Sequence, residues 1–465
     1  MAHDEHFASM PLHRLRFRDD GTFRVLQLAD VQDGPDVSPD ALELIDAAIE
    51  ESDPDLVVLT GDQIRGYDPA FVETFTARHG EHPGSGIPLG VRAEMALDGR
   101  SDAWMRFDRR GQGDGSAALR RTKSKVMASF VQFLEPIVSR GIPFAATYGN
   151  HDFQCGIGVD EQDAMYRRFP GCLNPPAADG DKDGDGASQD VQAIVCEPGT
   201  FALPVLSNDG QDIALGIVLV NSGDYDAGGY GAPSDTAVQW LPEAQKQLRG
   251  MRQSLGGRDA AVPSIAFQHI PPQQIYRCLR RASAFTPHAV EGSGPFAGSY
   301  FVPDPDVCRP GTALGEGPCC SARDTGEFAA LRDTDGYFAL YSGHDHKNTI
   351  IGSVDGIDLG YSPTCGFSSY GPKPEDHALR LFVFKQDDPR GYDTTLLTYA
   401  DLVHHPVRAR IRACAAQVLP ASTASVGDAL RRSATGLRCV AAAGCAVLIG
   451  IAGAGIAHRR RRGGV

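Results

Sequence analysis

Apolar residues in this chain gather into short runs, and each of the strongest runs stops at a polar group. Residues 23–29, 56–60, 143–148, 213–221, 264–268 and 337–342 read as buried strands, and residues 349–354, 357–361, 379–385 and 395–399 as shorter ones. Short, nearly continuous apolar runs bounded by turn residues suit strands covered on both faces. Between the early strands the period changes to that of a helix. Residues 40–51, 117–140 and 235–251 follow it, with Pro39 suited to a first helical turn and Ser234 to a cap. Strands and helices alternate early, shorter strands crowd the later part, and no internal repeat is visible. That order predicts an α/β layered fold with mixed sheets.

Two long polar stretches interrupt the pattern. Residues 67–116 end in RRGQGDGS and read as a surface excursion bordering the active site. Residues 282–322, rich in Gly, Pro and Cys, read as a second long loop. The segment DGDKDGDG (residues 179–186) looks like the first half of a calcium loop. Its twelfth position, counted from Asp181, is Gln192 rather than Glu, so a solvated acidic loop is expected.

The chain has 465 residues, of which 42% are hydrophobic and 22% charged, with a formal net charge of −15. This acidity argues against nucleic acid as a partner, which would need a basic face to neutralise phosphates. An anionic small substrate would instead need local positive charge, and a metal ion supplies it compactly. The eleven cysteines show no zinc-finger spacing and read as incidental.

The N-terminal residues are polar and show no apolar core of a signal peptide. Residues 439–457 carry no charge and are followed by His458 and four arginines. At ~1.5 Å per residue such a helix spans ~28 Å, close to the hydrocarbon thickness of a bilayer. A single C-terminal membrane helix over residues 437–458 is therefore expected, behind a linker at 405–436 and before a basic tail at 459–465. Without a signal peptide, the catalytic domain is expected on the cytoplasmic side. The N-terminal segment is taken as residues 1–22 and the main domain as residues 23–404.

The candidate chemistry lies where the apolar runs stop. Five strand ends carry metal-competent groups: Asp30, Asp62, the triplet Asn150-His151-Asp152, His269, and His344-Asp345-His346. Ligands gather outside the carboxyl ends of strands in α/β sheets. One such residue would mean little, but five ends in series, mixing Asp, Asn and His, are hard to explain by packing. Carboxylate and carboxamide oxygens with imidazole nitrogens suit hard-to-borderline cations.

The stretches LADVQ (28–32), LTGDQI (59–64), YGNHDF (148–153), FQHIPP (267–272) and YSGHDH (341–346) fall in the order of the calcineurin-like metallophosphoesterase motifs. The chain resembles that superfamily over roughly residues 23–349, and is most similar to its purple-acid-phosphatase-29-like branch. The resemblance implies a four-layer α/β/β/α sandwich of two mixed sheets. It implies two divalent or trivalent metal ions (Mn, Fe, Zn or similar) bridged by Asp62. One ion would be held by Asp30, His346 and position 32, the other by Asn150, His269 and His344. His151 would serve as phosphate ligand or general acid, with Asp152 orienting it. The implied reaction is hydrolysis of a small phosphate ester, more in keeping with a monoester than a diester, by a metal-bridging hydroxide. Two departures stand out. Gln32 replaces the family's His, which leaves a catalytically impaired, membrane-anchored binding protein as an alternative. Arg65 stands where purple enzymes carry a tyrosine, so no tyrosinate–iron colour is expected.

Overall fold

A computed structural model describes residues 15–83, 87, 91, 115–176 and 193–408. Two sheets face each other. The first has five strands in the order β17-β16-β1-β2-β3, built from β1 (Thr22–Leu28), β2 (Leu56–Thr60), β3 (Phe144–Thr147), β16 (Ala378–Lys385) and β17 (Asp388–Thr398). The strands β1, β2 and β3 are parallel, and β16 joins β1 antiparallel, so the sheet is mixed. The second sheet comprises β4 (Ile194–Glu197), β5 (Thr200–Leu206), β6 (Ile213–Leu219), β9 (Ser264–Gln268), β13 (Tyr337–Ser342), β14 (Ile351–Val354) and β15 (Ile357–Tyr361). Its order is β14-β15-β13-β9-β6-β5-β4, parallel from β15 through β6 and antiparallel at both margins.

Strand alternation makes the layers. In β1 and β2, Val25, Leu56 and Val58 point into a core shared with Val205, Leu215, Ile217, Ile265 and Phe267 of the second sheet. Their neighbours Leu26, Leu28, Val57 and Leu59 point the other way, onto Leu44, Ile45 and Ile49 of the helix Pro39–Ser52 and Phe130, Phe133 and Ile137 of the helix Gly115–Val138. On the far side, Trp240, Leu241 and Leu248 of the helix Asp235–Ser254 cover Val218, Ala266 and Leu340. Ser234 caps that helix, its Oγ accepting from Ala237 N at 2.9 Å. The layers are thus α/β/β/α, as the family resemblance implies.

Some elements differ from expectation. Strand β5 lies in the interior of its sheet although it contains Pro204, which has no N–H to give. The pairing of β4 with β5 runs only as far as Ile194↔Ala202, so Pro204 lies past it. Strand β17 begins at Asp388, seven residues before the apolar signal, because it is an edge strand whose first residues alternate with exposed ones. The stretch expected as a loop at 282–322 holds β11 (Val290–Glu291) and β12 (Tyr300–Pro303), which pair with each other and, through β12, with β10 (Leu279–Ala282). Leu15 and Phe17, ahead of the expected domain start, pack in the core between the sheets.

Among the described residues no helix is long and apolar enough to cross a membrane. The expected membrane helix at 437–458, the basic tail, the acidic loop at 179–186, most of the linker at 405–436 and part of the excursion at 67–116 lie outside the described residues.

Candidate metal centre

Parallel strands place their carboxyl ends on one edge, so β1, β2 and β3 of one sheet and β9 and β13 of the other deliver their following residues to a shared seam. Asp30, Gln32, Asp62, Asn150, His269, His344 and His346 are all buried there. The turns are tight. Four of the non-glycine residues with positive φ among the described residues are Asp30 (55°), Gln32 (41°), Asp62 (52°) and His344 (71°). Such backbone costs of order 1–3 kcal/mol per residue and persists where surroundings enforce it. Gly61 has φ 90°, and a Cβ there would lie 2.6 Å from Gly149 N; a Cβ on Gly149 would lie 2.2 Å from Asp62 Oδ1. These two glycines let the loops after β2 and β3 touch.

Four donors converge on one side of the seam. His269 Nε2 lies 3.2 Å from Asp62 Oδ2, 3.2 Å from Asn150 Oδ1 and 3.2 Å from His344 Nδ1. Its other nitrogen, Nδ1, donates to Thr60 O at 2.9 Å, which fixes the ring and leaves Nε2 facing the cluster. On the other side His346 Nε2 lies 3.2 Å from Asp30 Oδ1, while His346 Nδ1 donates to Tyr370 O. Asp30 Oδ2 accepts from His344 N at 3.0 Å and so ties the two sides together.

Gln32 sits beside the shared carboxylate. Its Nε2 donates to Asp62 Oδ2 at 3.3 Å, and its Oε1 is buried without a hydrogen bond. Among the described residues His344 Nε2 is likewise buried without a hydrogen bond, and Asp30 Oδ1 faces only the His346 ring, at 3.2 Å. Buried polar atoms without partners are costly. Two of them, beside an Asp30 oxygen that faces only an imidazole, fit a centre built for cations. Donor atoms about 2.0–2.2 Å from a metal stand about 3 Å apart, which matches the spacing around His269 Nε2.

The protonation pattern points the same way. Burial opposes charge on His269, yet the carboxylates of Asp62 and Asp30 outweigh it and lift its pKa to about 10. Burial would raise Asp62, but His269 and His151 hold it below the usual carboxylate range. Burial also opposes charge on His346, where Asp30 prevails and raises the pKa. Burial, with His269 beside it, pushes His344 down. The seam therefore favours positive charge beside Asp30 and Asp62, which protons or metal ions can both provide.

His151 lies at the rim and is only partly buried. Its backbone N–H donates to Asp62 Oδ1 at 2.7 Å, and its ring Nδ1 is 2.7 Å from Gln154 Oε1. Because Gln154 Nε2 donates to Ala77 O at 3.1 Å, the Gln154 oxygen is the atom turned to the ring, and His151 carries its proton on Nδ1. The residue orienting His151 is thus Gln154. Asp152, expected in that role, accepts from Asp62 N (2.8 Å), Gly149 N (2.8 Å) and Ile64 N (2.9 Å) instead. It braces the loops after β2 and β3 against each other.

Further residues with no motif to mark them close the site. Tyr67 stands edge-on to His151 (ring centroids 4.8 Å apart), Tyr230 edge-on to His344 (4.5 Å), and Tyr370 lies flat on His346 (4.2 Å). Tyr225 takes a hydrogen bond from Asn150 Nδ2 at 2.8 Å. Tyr67 opens the excursion at 67–116, and the backbone N–H of Cys319, in the stretch 282–322, donates to Asp345. Both insertions therefore border the seam.

Two stacked mixed sheets with this donor set at their carboxyl ends agree with what the resemblance to the calcineurin-like metallophosphoesterases implies. The chain is also similar to known proteins. The chain is 23% identical over 410 residues to the Arabidopsis thaliana protein named "Probable inactive purple acid phosphatase 28", covering 82% of this chain and 79% of that one. It is 21% identical to "Probable inactive purple acid phosphatase 29" of the same organism, covering 81% and 80%. A dimetal phosphatase structure from Danio rerio aligns over 81% of this chain and 99% of that one, with 12% identity and a TM-score of 0.34. No family model matches the chain.

Proposed function

We propose that the protein is a two-metal phosphoester hydrolase that prefers small phosphomonoesters. The observation that carries this reading is the convergence of Asp62, Asn150 and His344 on His269 Nε2, each at 3.2 Å. Asp62, Asn150, His269 and His344 would hold one ion, and Asp30, His346, Asp62 and Gln32 the other. When bound, such a pair activates water near neutral pH and neutralises charge on the phosphoryl group. Asp62 belongs to both sets, and its anionic charge offsets the repulsion between them. His151, held on Nδ1 by Gln154, leaves its other nitrogen for the substrate. In its doubly protonated form it donates the Nε2 proton to the departing alkoxide as the P–O bond breaks, while a water that gives up a proton supplies the oxygen that bonds phosphorus. The preference for a monoester over a diester rests on the resemblance to the purple-acid-phosphatase branch.

A second reading is a metal-binding protein without turnover. It is favoured by Gln32 and by the word "inactive" in the relatives' names. A screen of phosphomonoesters and diesters on the full chain, with Mn, Zn or Fe supplied separately and with chelator, separates the two. Chelator-sensitive turnover greatest on monoesters is expected. Two bound metals with no turnover on any ester would establish the second reading. We further propose that residues 437–458 anchor the chain in a membrane with the catalytic domain on the cytoplasmic side. Protease digestion of that domain from outside intact cells would reverse the orientation.

A further inference from the structure

An asparagine ligand poses a problem that a carboxylate does not. Its carboxamide ends in one oxygen and one NH₂ of nearly equal size, and only the oxygen can face a cation. Which end turns inward is decided by what the NH₂ group finds on the other side. At Asn150 it finds Tyr225. Asn150 Nδ2 donates to the Tyr225 hydroxyl at 2.8 Å, and Asn150 Oδ1 is thereby turned toward His269 Nε2 at 3.2 Å.

The phenol is itself held from several directions. Tyr225 lies on a small hairpin formed by β7 (Tyr225–Asp226) and β8 (Gly229–Tyr230). The Arg78 guanidinium sits 3.9 Å from its ring centroid, and the Tyr230 ring stacks at 5.7 Å. The excursion after β2 clamps the hairpin at two more points. Arg78 Nη1 donates to Gly229 O at 3.1 Å, and His79 Nε2 meets Asp224 Oδ2 at 2.7 Å. The hydroxyl is thus fixed in place before any ligand arrives, which is what a partner to a metal ligand needs.

We propose that Tyr225 is the positioning residue for Asn150, and that by fixing the amide it sets the affinity of the metal position shared by Asp62, Asn150, His269 and His344. The proposal rests on the metal-centre reading above. Tyr225 touches neither substrate nor cation; it acts through Asn150.

The test is zinc and manganese titration of the full chain, read as metal bound per protein, for wild type, Tyr225→Phe, Asn150→Asp and the double variant. Tyr225→Phe removes one oxygen and keeps the ring between Arg78 and Tyr230. It should weaken one of two metal sites by about 10–100-fold, the usual effect of losing a ligand's outer partner, with the other site and the Tm of the metal-free protein unchanged. In the Asn150→Asp background the same change should do almost nothing, because a carboxylate offers oxygen whichever way it turns. Equal titration of Tyr225→Phe and wild type would overturn the proposal. So would equal weakening in the Asn150→Asp background, which would make Tyr225 a packing residue. A wild-type chain that binds fewer than two metals would instead overturn the underlying reading.

Discussion

The two halves of the centre are built to different standards. Around His269 three of the four donors have their orientation settled by a second partner: His269 by Thr60 O, Asn150 by Tyr225, and Asp62 by the His151 backbone; His344 Nε2 makes no hydrogen bond among the described residues. Around His346 the set is thinner. Asp30 and His346 face each other at 3.2 Å, but position 32 supplies a neutral carboxamide whose NH₂ is spent on Asp62. A carboxamide oxygen is a weaker donor to transition metals than imidazole. On the proposed two-metal reading, one side of the centre is weaker than the other, and the shared Asp62 is the residue on which both depend.

The largest effect should follow from removing that shared charge. Asp62→Asn should release both metals and lower turnover by about 10³-fold or more, the upper range for loss of a strong transition-state contact. Metal analysis and chelator-controlled kinetics check it, and retention of both ions with near-normal turnover would mean that the halves are independent.

His151→Ala comes next. It should leave metal content intact and lower kcat by about 10²–10³-fold on alkyl phosphates, with a much smaller loss on nitrophenyl phosphate, whose leaving group needs little protonation. Equal losses on both substrates would reduce His151 to a binding residue.

These residues were legible because a strand end is a fixed place. An apolar run that stops at Asp30, Asp62, Asn150, His269 or His344 names both the strand and a candidate ligand, and β2, β9, β13 and β15 matched the expected boundaries. What stayed hidden has no sequence signal. Tyr225 and Tyr370 act through single hydrogen bonds to Asn150 and His346, in segments far apart in sequence, and Gln154, though only three residues from His151, is a neutral amide with nothing in the motif to mark it. The orientation of His151 shows the limit well. Asp152 was the adjacent carboxylate, yet three backbone N–H groups had claimed it. Strand β5 escaped because Pro204 argues locally against a strand, and the β-pairs within 282–322 because two-residue strands have no periodicity to read.

A smaller effect should separate the halves directly. Gln32→His should raise zinc affinity at the weaker position by about tenfold, since it adds an imidazole nitrogen where a carboxamide stood. Turnover can move either way, so binding is the readout.

The smallest effect concerns what lies beneath the stronger half. Glu327 is buried next to Gln268, the residue before His269, and burial lifts its pKa to about 8. A carboxyl with a folded pKa above its unfolded value of 4.5 stabilises the fold fully below pH 4.5, and that contribution is lost as pH rises through about 8. Glu327→Gln lacks this term. Its Tm relative to wild type should therefore climb between pH 4.5 and 8 and level off above; a difference that does not change with pH would show that Glu327 keeps its charge in the fold.

The unequal centre is tested most directly by calorimetric titration of metal-free wild type and Gln32→His with zinc. The account predicts two sites of different affinity in wild type, with Gln32→His tightening the weaker site and leaving the stronger one unchanged. One site, two sites that titrate identically, or a Gln32→His titration that overlays wild type would contradict it.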